Sequence, residues 1–143
     1  MELDVVSGPE SDEVDRLIAD GLHAFNERHL GPFHHERIVI AARDADGRAV
    51  GGAVGGLHLG WLFIDILWLP EAARGQGAGR RLLDRLEGEA LRRGATRAFL
   101  DTMSFQGVGF YRKAGYVEFG RIPAFVSGHD RIYLYKTLEP GCR

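Results

Sequence analysis

The spacing of apolar residues near the start of the chain predicts a helix. Apolar positions recur at helical spacing from Val14 to Phe25. Ser7 and Glu10 stand ahead of them with the spacing of a capping box, in which side chains bond the free N–H groups of the first turn. We therefore expect a first helix that runs to about Asn26.

Three runs of strand-forming residues follow this helix. Residues 37–42 and 49–59 flank the turn residues 44–47, which predicts a hairpin. The run 61–69 is almost continuously apolar and ends at Pro70. Such a run is typical of a central strand that is covered on both faces.

The second half of the chain alternates helices and strands. An apolar stripe from Leu82 to Leu91, with Gly94 placed to cap its end, predicts a second helix. Hairpins first and helical crossovers later indicate an α/β fold, with helices packed on a mixed sheet. The remaining expected elements are a strand at 98–102, a short helix at 108–114, and paired strands at 116–122 and 131–138.

Composition and charge narrow the class of protein. A chain of 143 residues with 45% hydrophobic and 27% charged residues suits one globular core, so we expect a single domain over residues 1–143. The net charge is -2 and the basic residues are dispersed along the chain. The sequence therefore shows no concentration of positive charge of the kind that binds nucleic acid. The chain carries no apparent secretion signal or membrane-spanning run, so we expect a cytoplasmic protein with no membrane partner.

Cysteine and histidine offer few candidates for special chemistry. Cys142 lies next to the C-terminus, and we interpret it as an incidental surface thiol. His34 and His35 are adjacent and lack the His-x-x-x-His ligand spacing, so no metal is expected. Together with His58, they remain candidates for a catalytic base or for substrate contacts, because imidazole titrates near neutrality.

A glycine-rich segment lies between the apolar strand and the second helix. Its free N–H groups and the positive end of the helix dipole could bind an anion. A side chain at Gly77 or Gly79 would obstruct the close approach of a pyrophosphate. Arg74, Arg80 and Arg81 add positive charge. The segment reads Arg74, Gly75, Gln76, Gly77, Ala78 and Gly79.

Other interpretations of this segment are a turn without a ligand and two known nucleotide loops. A Walker loop is excluded because no Gly-Lys-Ser or Gly-Lys-Thr ends the segment. The sequence motif of dinucleotide-binding folds would need glycine where Arg80 stands. Asp101, at the end of the next strand, does resemble the acidic residue that binds the ribose in those folds. Residues 70–73 also separate the strand from the glycines, which disfavours that fingerprint.

Two segments together resemble the GNAT N-acetyltransferases. Arg74, Gly77 and Gly79 match the Arg/Gln-x-x-Gly-x-Gly/Ala pyrophosphate loop of that family. Residues 110–116 resemble its Tyr-x-Lys-x-Gly-Phe segment. A subgroup of small bacterial GNAT proteins is suggested by Asn26, Gly51, Gly52, Asp101, Thr102, Ser104, Phe105, Gln106, Gly128 and His129.

The resemblance implies acetyl-CoA as cosubstrate, no metal, and a sheet whose fourth and fifth strands, in the family's order, splay apart. The backbone of Leu67 and Leu69 would pair with the pantetheine arm, and residues 74–80 would bind the pyrophosphate. Ser104 stands where many relatives have an asparagine that contacts the cofactor or supports the tyrosine. Members of the family often dimerise, so this chain could form a homodimer. The sequence leaves its oligomeric state open.

Acetyl transfer to an amine needs a proton for the departing thiolate. Tyr111 suits that role because a phenol with a pKa of about 10 stays protonated at neutral pH, and it occupies the tyrosine position of the resembled family. The alternative is that Tyr111 only packs under its helix.

Asp65 is the single charged residue inside the apolar strand. It could attract an ammonium substrate or relay its proton through water, or it could make a structural bond to an arginine. Both alternatives stay open. We interpret its aromatic neighbours Trp61, Phe63 and Trp68 as sheet core rather than an aromatic cage.

The sequence therefore predicts an N-acetyltransferase. Its acetyl group would pass from acetyl-CoA to a primary amine of a small molecule or protein by direct attack in a ternary complex. The alternatives are a non-catalytic acyl-CoA-binding regulatory module, which would keep the loop and lose the proton donor, and a structural interaction protein. The acceptor is unspecified, since the loops around residues 26–36 and 121–130 would shape its pocket.

Overall fold

The computed structural model describes residues 1–140, and Cys142 lies outside the described residues. The chain divides into two compact units, Met1–His34 and the residues from His35 onward. Each unit is described by itself. The single domain expected over residues 1–143 stays a prediction.

The first unit contains helix α1, Pro9–Leu30. The expected helix is confirmed and continues beyond Asn26, but the capping box is wrong. Gly8 is the N-cap and no side chain caps the helix. Pro9 needs no capping partner because it has no N–H group.

The second unit is built on a six-stranded mixed sheet, in the order β1-β2-β3-β4-β6-β5. The predicted order of elements and the α/β class are confirmed. Only β3 and β4 run parallel among the strand pairs of the described chain. The elements are β1 Glu36–Arg43, β2 Ala49–His58, β3 Trp61–Trp68, a 3-10 turn Glu71–Ala73, α2 Ala78–Arg92, β4 Arg97–Met103, α3 Val108–Lys113, β5 Val117–Val126 and β6 His129–Thr137.

Strands β3 and β4 pair only at their beginnings. The last of their three paired positions joins Phe63 to Phe99, although β3 continues to Trp68 and β4 to Met103. The second halves of these central strands therefore leave backbone groups without a partner strand between them. This is the splay that the resemblance implied, and it opens a wedge-shaped gap in the sheet.

One face of the sheet, here called the covered face, packs against α2. Leu83 and Leu86 of α2 are completely buried. Close packing of aliphatic side chains of this kind supplies most of the stability of a small domain. The sheet contributes Ile38, Ala53, Leu57, Leu62, Ile64, Ala98, Leu100, Ile132 and Leu134 to this core.

The opposite face, here called the aromatic face, differs from the sequence-based expectation. Strand β3 was expected to be covered on both faces, and this is wrong. Trp61 and Phe63 are half-buried, and Asp65 and Trp68 are exposed. The apolar run of β3 therefore serves packing on one face and leaves the other available.

Candidate active site

The glycine-rich segment adopts an unusual backbone conformation. Gly75, Gln76 and Gly77 have φ angles of 78°, 55° and 75°, and a left-handed conformation is strained for Gln76 because it carries a side chain. The N–H groups of these residues and of Gly79 donate to no other residue of the described chain. Successive free N–H groups in such a turn can form an anion-binding concavity, next to the start of α2.

The fold itself leaves room for a small side chain at Gly79. A Cβ atom there would lie 3.5 Å from the ring of Phe110, which is an ordinary contact. At Gly77 the nearest atom, Nη1 of Arg81, would be 3.6 Å away, but the positive φ angle favours glycine. The space above Gly79 is therefore not required for packing and is free for a ligand.

Arg74 connects the segment to the end of β3. Its Nε donates a hydrogen bond of 2.8 Å to the carbonyl oxygen of Leu69. This bond occupies one of the backbone groups that the resemblance assigned to the pantetheine arm. Leu67 is half-buried on β3, and its role toward the cofactor stays a prediction.

The other two arginines of the segment differ in how far their charge is balanced. Arg81 Nη1 donates to the carbonyl oxygen of Gln76 at 2.9 Å, which leaves the positive charge uncancelled. Arg80 Nε donates to Asp84 Oδ1 at 2.8 Å in an exposed ion pair. Arg81 therefore adds more net positive charge to the loop than Arg80 does.

The loop between β4 and α3 is fixed by side-chain hydrogen bonds. Gln106 Oε1 accepts from Thr102 Oγ1 at 3.0 Å and from the Met103 N–H at 2.7 Å. Ser104 Oγ accepts from the Asp130 N–H at 3.0 Å, so its own proton stays available to another acceptor. Sequence reasoning gave Gln106 no individual role. Ser104 as a cofactor contact stays a prediction.

Two tyrosines at α3 have contrasting environments. The rings of Tyr111 and Tyr116 meet edge to face, 5.7 Å apart, and burial raises the pKa of both hydroxyls. The Tyr116 hydroxyl is sealed from solvent without a hydrogen-bond partner in residues 1–140. The Tyr111 hydroxyl also lacks a partner among the described residues but is not sealed. Tyr111 can therefore donate to a bound ligand.

A partly buried ion pair that sequence reasoning missed joins α2, β6 and the C-cap of α3 on the covered face. Lys136 Nζ of β6 lies 2.6 Å from Glu87 Oε1 of α2 and donates to the carbonyl oxygen of Ala114 at 2.8 Å. Burial raises the pKa of Glu87, and Lys136 opposes this shift. The alternation of Ile132 and Leu134 with Lys136 was the available signal, because it places the lysine on the core face.

Asp65 occupies a bulge in β3. Ile64 pairs with Gly55 and Ile66 pairs with Val54, so Asp65 is an extra residue on its strand. Bulges re-aim side chains and are common next to active sites. The carboxylate makes no ion pair or hydrogen bond with any residue of the described chain.

Asp65 lines a cavity of about 960 Å³. Trp61 and Phe63 line the same cavity, so their interpretation as sheet core is wrong, and Trp68 is 52% exposed. The cause is that, among residues 35–140, no helix or strand packs over this part of β3. The other aromatic residues of the lining are Phe99, Phe119 and Tyr135.

Two of the three candidate histidines also line this cavity. The rings of His35 and His58 lie 3.8 Å apart, while His34 belongs to the first unit. Their roles as base or substrate contact stay predictions. Within residues 1–140, no group of three or more potential ligands could hold a metal ion.

The two predicted catalytic residues lie on opposite faces of the sheet. Tyr111 belongs to the core of the covered face, whereas Asp65 lines the cavity of the aromatic face. Asp65 stands two positions beyond Phe63, the last β3 residue paired with β4. Asp65 therefore lies beside the start of the gap between these strands.

No helix in the part of the chain that the structure describes combines the length and apolarity needed to cross a membrane.

Comparison with known proteins agrees with this geometry. An acetyltransferase of Agrobacterium fabrum is 34% identical over 134 residues, which cover 94% of this chain and 98% of that protein. The blasticidin-S acetyltransferase of Streptomyces morookaense is 38% identical over 93 residues, 64% of this chain and 68% of its own. The crystal structure of an acetyltransferase from Bacillus cereus ATCC 14579 has a TM-score of 0.83 at 27% identity, covering 96% of this chain and 98% of that one.

The family model described as the acetyltransferase (GNAT) family matches residues 8–116, well over half of the chain. This chain therefore belongs to the GNAT acetyltransferase family and is an acetyl-CoA-dependent acyltransferase.

Proposed function

We propose that this acetyltransferase transfers the acetyl group of acetyl-CoA to a primary amine of a small molecule by direct attack in a ternary complex. The observation that carries the proposal is the gap between β3 and β4. Tyr111 belongs to the core of the covered face, and Asp65 lines the cavity of the aromatic face. A cofactor and an acceptor entering from opposite faces would meet there.

The pyrophosphate and the pantetheine arm of the cofactor would both bind to backbone groups of the protein. The unpaired N–H groups of residues 75–77 and the start of α2 suit a pyrophosphate. The pantetheine arm would run along the unpaired edge of β3 near Leu67, like an added strand. The bond from Arg74 to the Leu69 carbonyl leaves the Leu69 N–H as the group available at that position.

The acceptor would bind on the aromatic face. Its ammonium group loses a proton, through water and Asp65, to solvent. The nitrogen lone pair then attacks the thioester carbon, a C–N bond forms, and the C–S bond breaks with its electron pair moving to sulfur. The second nitrogen proton leaves to solvent, so the amide forms neutral.

Tyr111 would protonate the departing thiolate and then recover a proton from solvent. Burial raises the pKa of its hydroxyl, so the phenol stays protonated across the neutral range. A general acid of this kind typically contributes about a hundredfold to ten-thousandfold. The nearby Tyr116 cannot substitute, because its hydroxyl is sealed inside the core.

The experiment compares Tyr111→Phe with Tyr116→Phe as a matched control. A thiol-release screen across an amine library first identifies an acceptor. We expect Tyr111→Phe to slow the single-turnover rate by about a hundredfold or more, with acetyl-CoA affinity by calorimetry unchanged. Tyr116→Phe should keep the wild-type rate. A Tyr111→Phe rate within about twofold of wild type, far below that contribution, would exclude Tyr111 as the acid.

A further inference from the structure

We propose that the cavity on the aromatic face recognises an acceptor that carries a flat aromatic or heteroaromatic ring and a single primary ammonium group. The ring would stack on the aromatic side chains, and Asp65 would hold the ammonium. This inference rests on the proposed amine acetylation and names the class of its acceptor.

Aromatic side chains from four strands form a continuous surface in this cavity. The ring centroids of Phe63 and Phe99 are 5.0 Å apart, and those of Trp61 and Phe99 are 5.6 Å apart. Phe119 and Tyr135 meet edge to face at 5.6 Å. The Arg97 guanidinium stacks on the Trp61 ring, 4.3 Å from its centroid. The other partly exposed rings offer faces and edges to another aromatic ring.

A glycine makes a hollow beside this surface. Gly56 pairs with Arg37 on one side and with Phe63 on the other. A Cβ atom on Gly56 would meet no atom within 4 Å, so the backbone is bare at the floor of the cavity. A planar ring can lie over this hollow against Phe63, where a larger residue in place of glycine would fill the space.

Charge in the cavity is arranged for one cation rather than several. Asp65 has no ion pair in residues 1–140, whereas Glu36 is bonded to Arg93 at 2.5 Å. Asp65 is therefore the carboxylate that an ammonium can approach. Arg37 also lines the cavity, and its positive charge would oppose a second cation. This arrangement disfavours linear polyamines.

The position of Asp65 connects ring recognition to the reaction. Asp65 follows Phe63, which ends the paired part of β3, and both residues line the cavity. An acceptor with its ring against Phe63 and its ammonium at Asp65 would therefore place nitrogen at the mouth of the gap. The thioester of the bound cofactor would lie in that gap.

The test uses three amines of defined chemistry. The first two, 2-phenylethylamine and 2-cyclohexylethylamine, share an ethylamine arm but differ in ring aromaticity, and spermidine carries several charges and no ring. We expect kcat/KM for the phenyl compound to exceed that for the cyclohexyl compound by about threefold to tenfold, as ring stacking allows. Spermidine should react more slowly than both. Equal rates for the two rings would overturn the inference.

The cavity is tested directly by filling it. We expect Gly56→Leu to raise the KM for 2-phenylethylamine at least about tenfold, as expected when a desolvated contact site is blocked, with acetyl-CoA affinity unchanged. Gly88→Leu is the matched control, because Gly88 is exposed on α2 and its Cβ would also meet no atom. If Gly56→Leu fails to fold, Phe63→Leu should abolish the phenyl preference instead.

Saturation-transfer NMR separates this inference from the proposed function. Binding of 2-phenylethylamine that Gly56→Leu abolishes, without acetylation of any amine, would support the cavity and contradict the proposed reaction. Amine acetylation that Gly56→Leu leaves unchanged, with no preference for the aromatic ring, would support the reaction and contradict the cavity.

Discussion

The two faces of the sheet are made by the same strands but carry different chemistry. On β4, Leu100 is 2% exposed and packs in the covered face, while its neighbour Phe99 is half-buried and lines the cavity. Aliphatic side chains fill a core efficiently, whereas aromatic rings and a carboxylate can also recognise a ligand. Neighbouring positions on one strand can therefore serve stability and recognition separately.

The largest expected difference between the two faces is in how much each contributes to the stability of the fold. We expect Leu100→Ala to lower the free energy of unfolding by about 2–5 kcal/mol, because it leaves a cavity in a close-packed core. Phe99→Ala should cost clearly less, because the Phe99 ring is already partly in solvent. Urea unfolding of both variants measures the difference. Equal losses would mean that the aromatic face contributes to the core as strongly as the covered face.

The next effect concerns the charge on the aromatic face. Asp65→Asn should lower kcat/KM for an amine acceptor by roughly tenfold to a hundredfold, as expected for losing a hydrogen bond to a charged group. The affinity for acetyl-CoA should not change. Steady-state kinetics and calorimetry measure the two quantities. Asp46→Asn, in the β1–β2 turn, is the matched control, and wild-type kinetics in Asp65→Asn would return Asp65 to a structural role.

The smallest expected effect lies on the covered face, where Tyr116 buries a hydroxyl group that has no hydrogen-bond partner in residues 1–140. Tyr116→Phe should raise the free energy of unfolding by about 1 kcal/mol, because it removes a buried hydroxyl without a partner. Burial raises the pKa of Tyr116, so the native state keeps this proton where the unfolded chain loses it. The part of the folding stability that depends on this proton is therefore fully present below about pH 10, the ordinary tyrosine value, and is lost as the pH rises.

Urea unfolding on both sides of that pH tests the assignment. The wild-type protein should lose stability more steeply with rising pH than Tyr116→Phe does. Tyr111, whose pKa is also raised by burial, keeps its own share of the pH dependence in both proteins. Identical slopes for the two proteins would contradict a buried, protonated Tyr116.

The sequence was a good guide to local structure and a poorer one to long-range environment. Periodicity and turn residues were enough for the order of helices and strands, and the glycine segment was placed before α2 as expected. The capping box failed because the helix begins one residue later than expected, which puts Gly8 rather than Ser7 at the N-cap. The burial of β3 could not be predicted, because an apolar run does not reveal whether anything packs on its second face.

The same reason explains the features that were missed. The bulge at Asp65 depends on how β3 registers with β2, which no local pattern encodes. The ion pair between Glu87 and Lys136 joins residues 49 positions apart, although strand alternation marked the lysine. Asp65 was singled out by its position in an apolar strand and Tyr111 by residue type and family resemblance, and their catalytic roles stay predictions. Their placement on opposite faces required the fold.

The gap between β3 and β4 also bears on aggregation. A free strand edge is normally a hazard because it can recruit a strand from another molecule. Here the unpaired edge lies inside the sheet, in a wedge closed at its apex by the pairing of residues 61–63 with 97–99. A polypeptide strand needs a spacing of about 4.8 Å from each neighbour, which a closing wedge cannot provide along its length. The gap can thus expose backbone groups to a thin ligand without offering them to a strand of another copy.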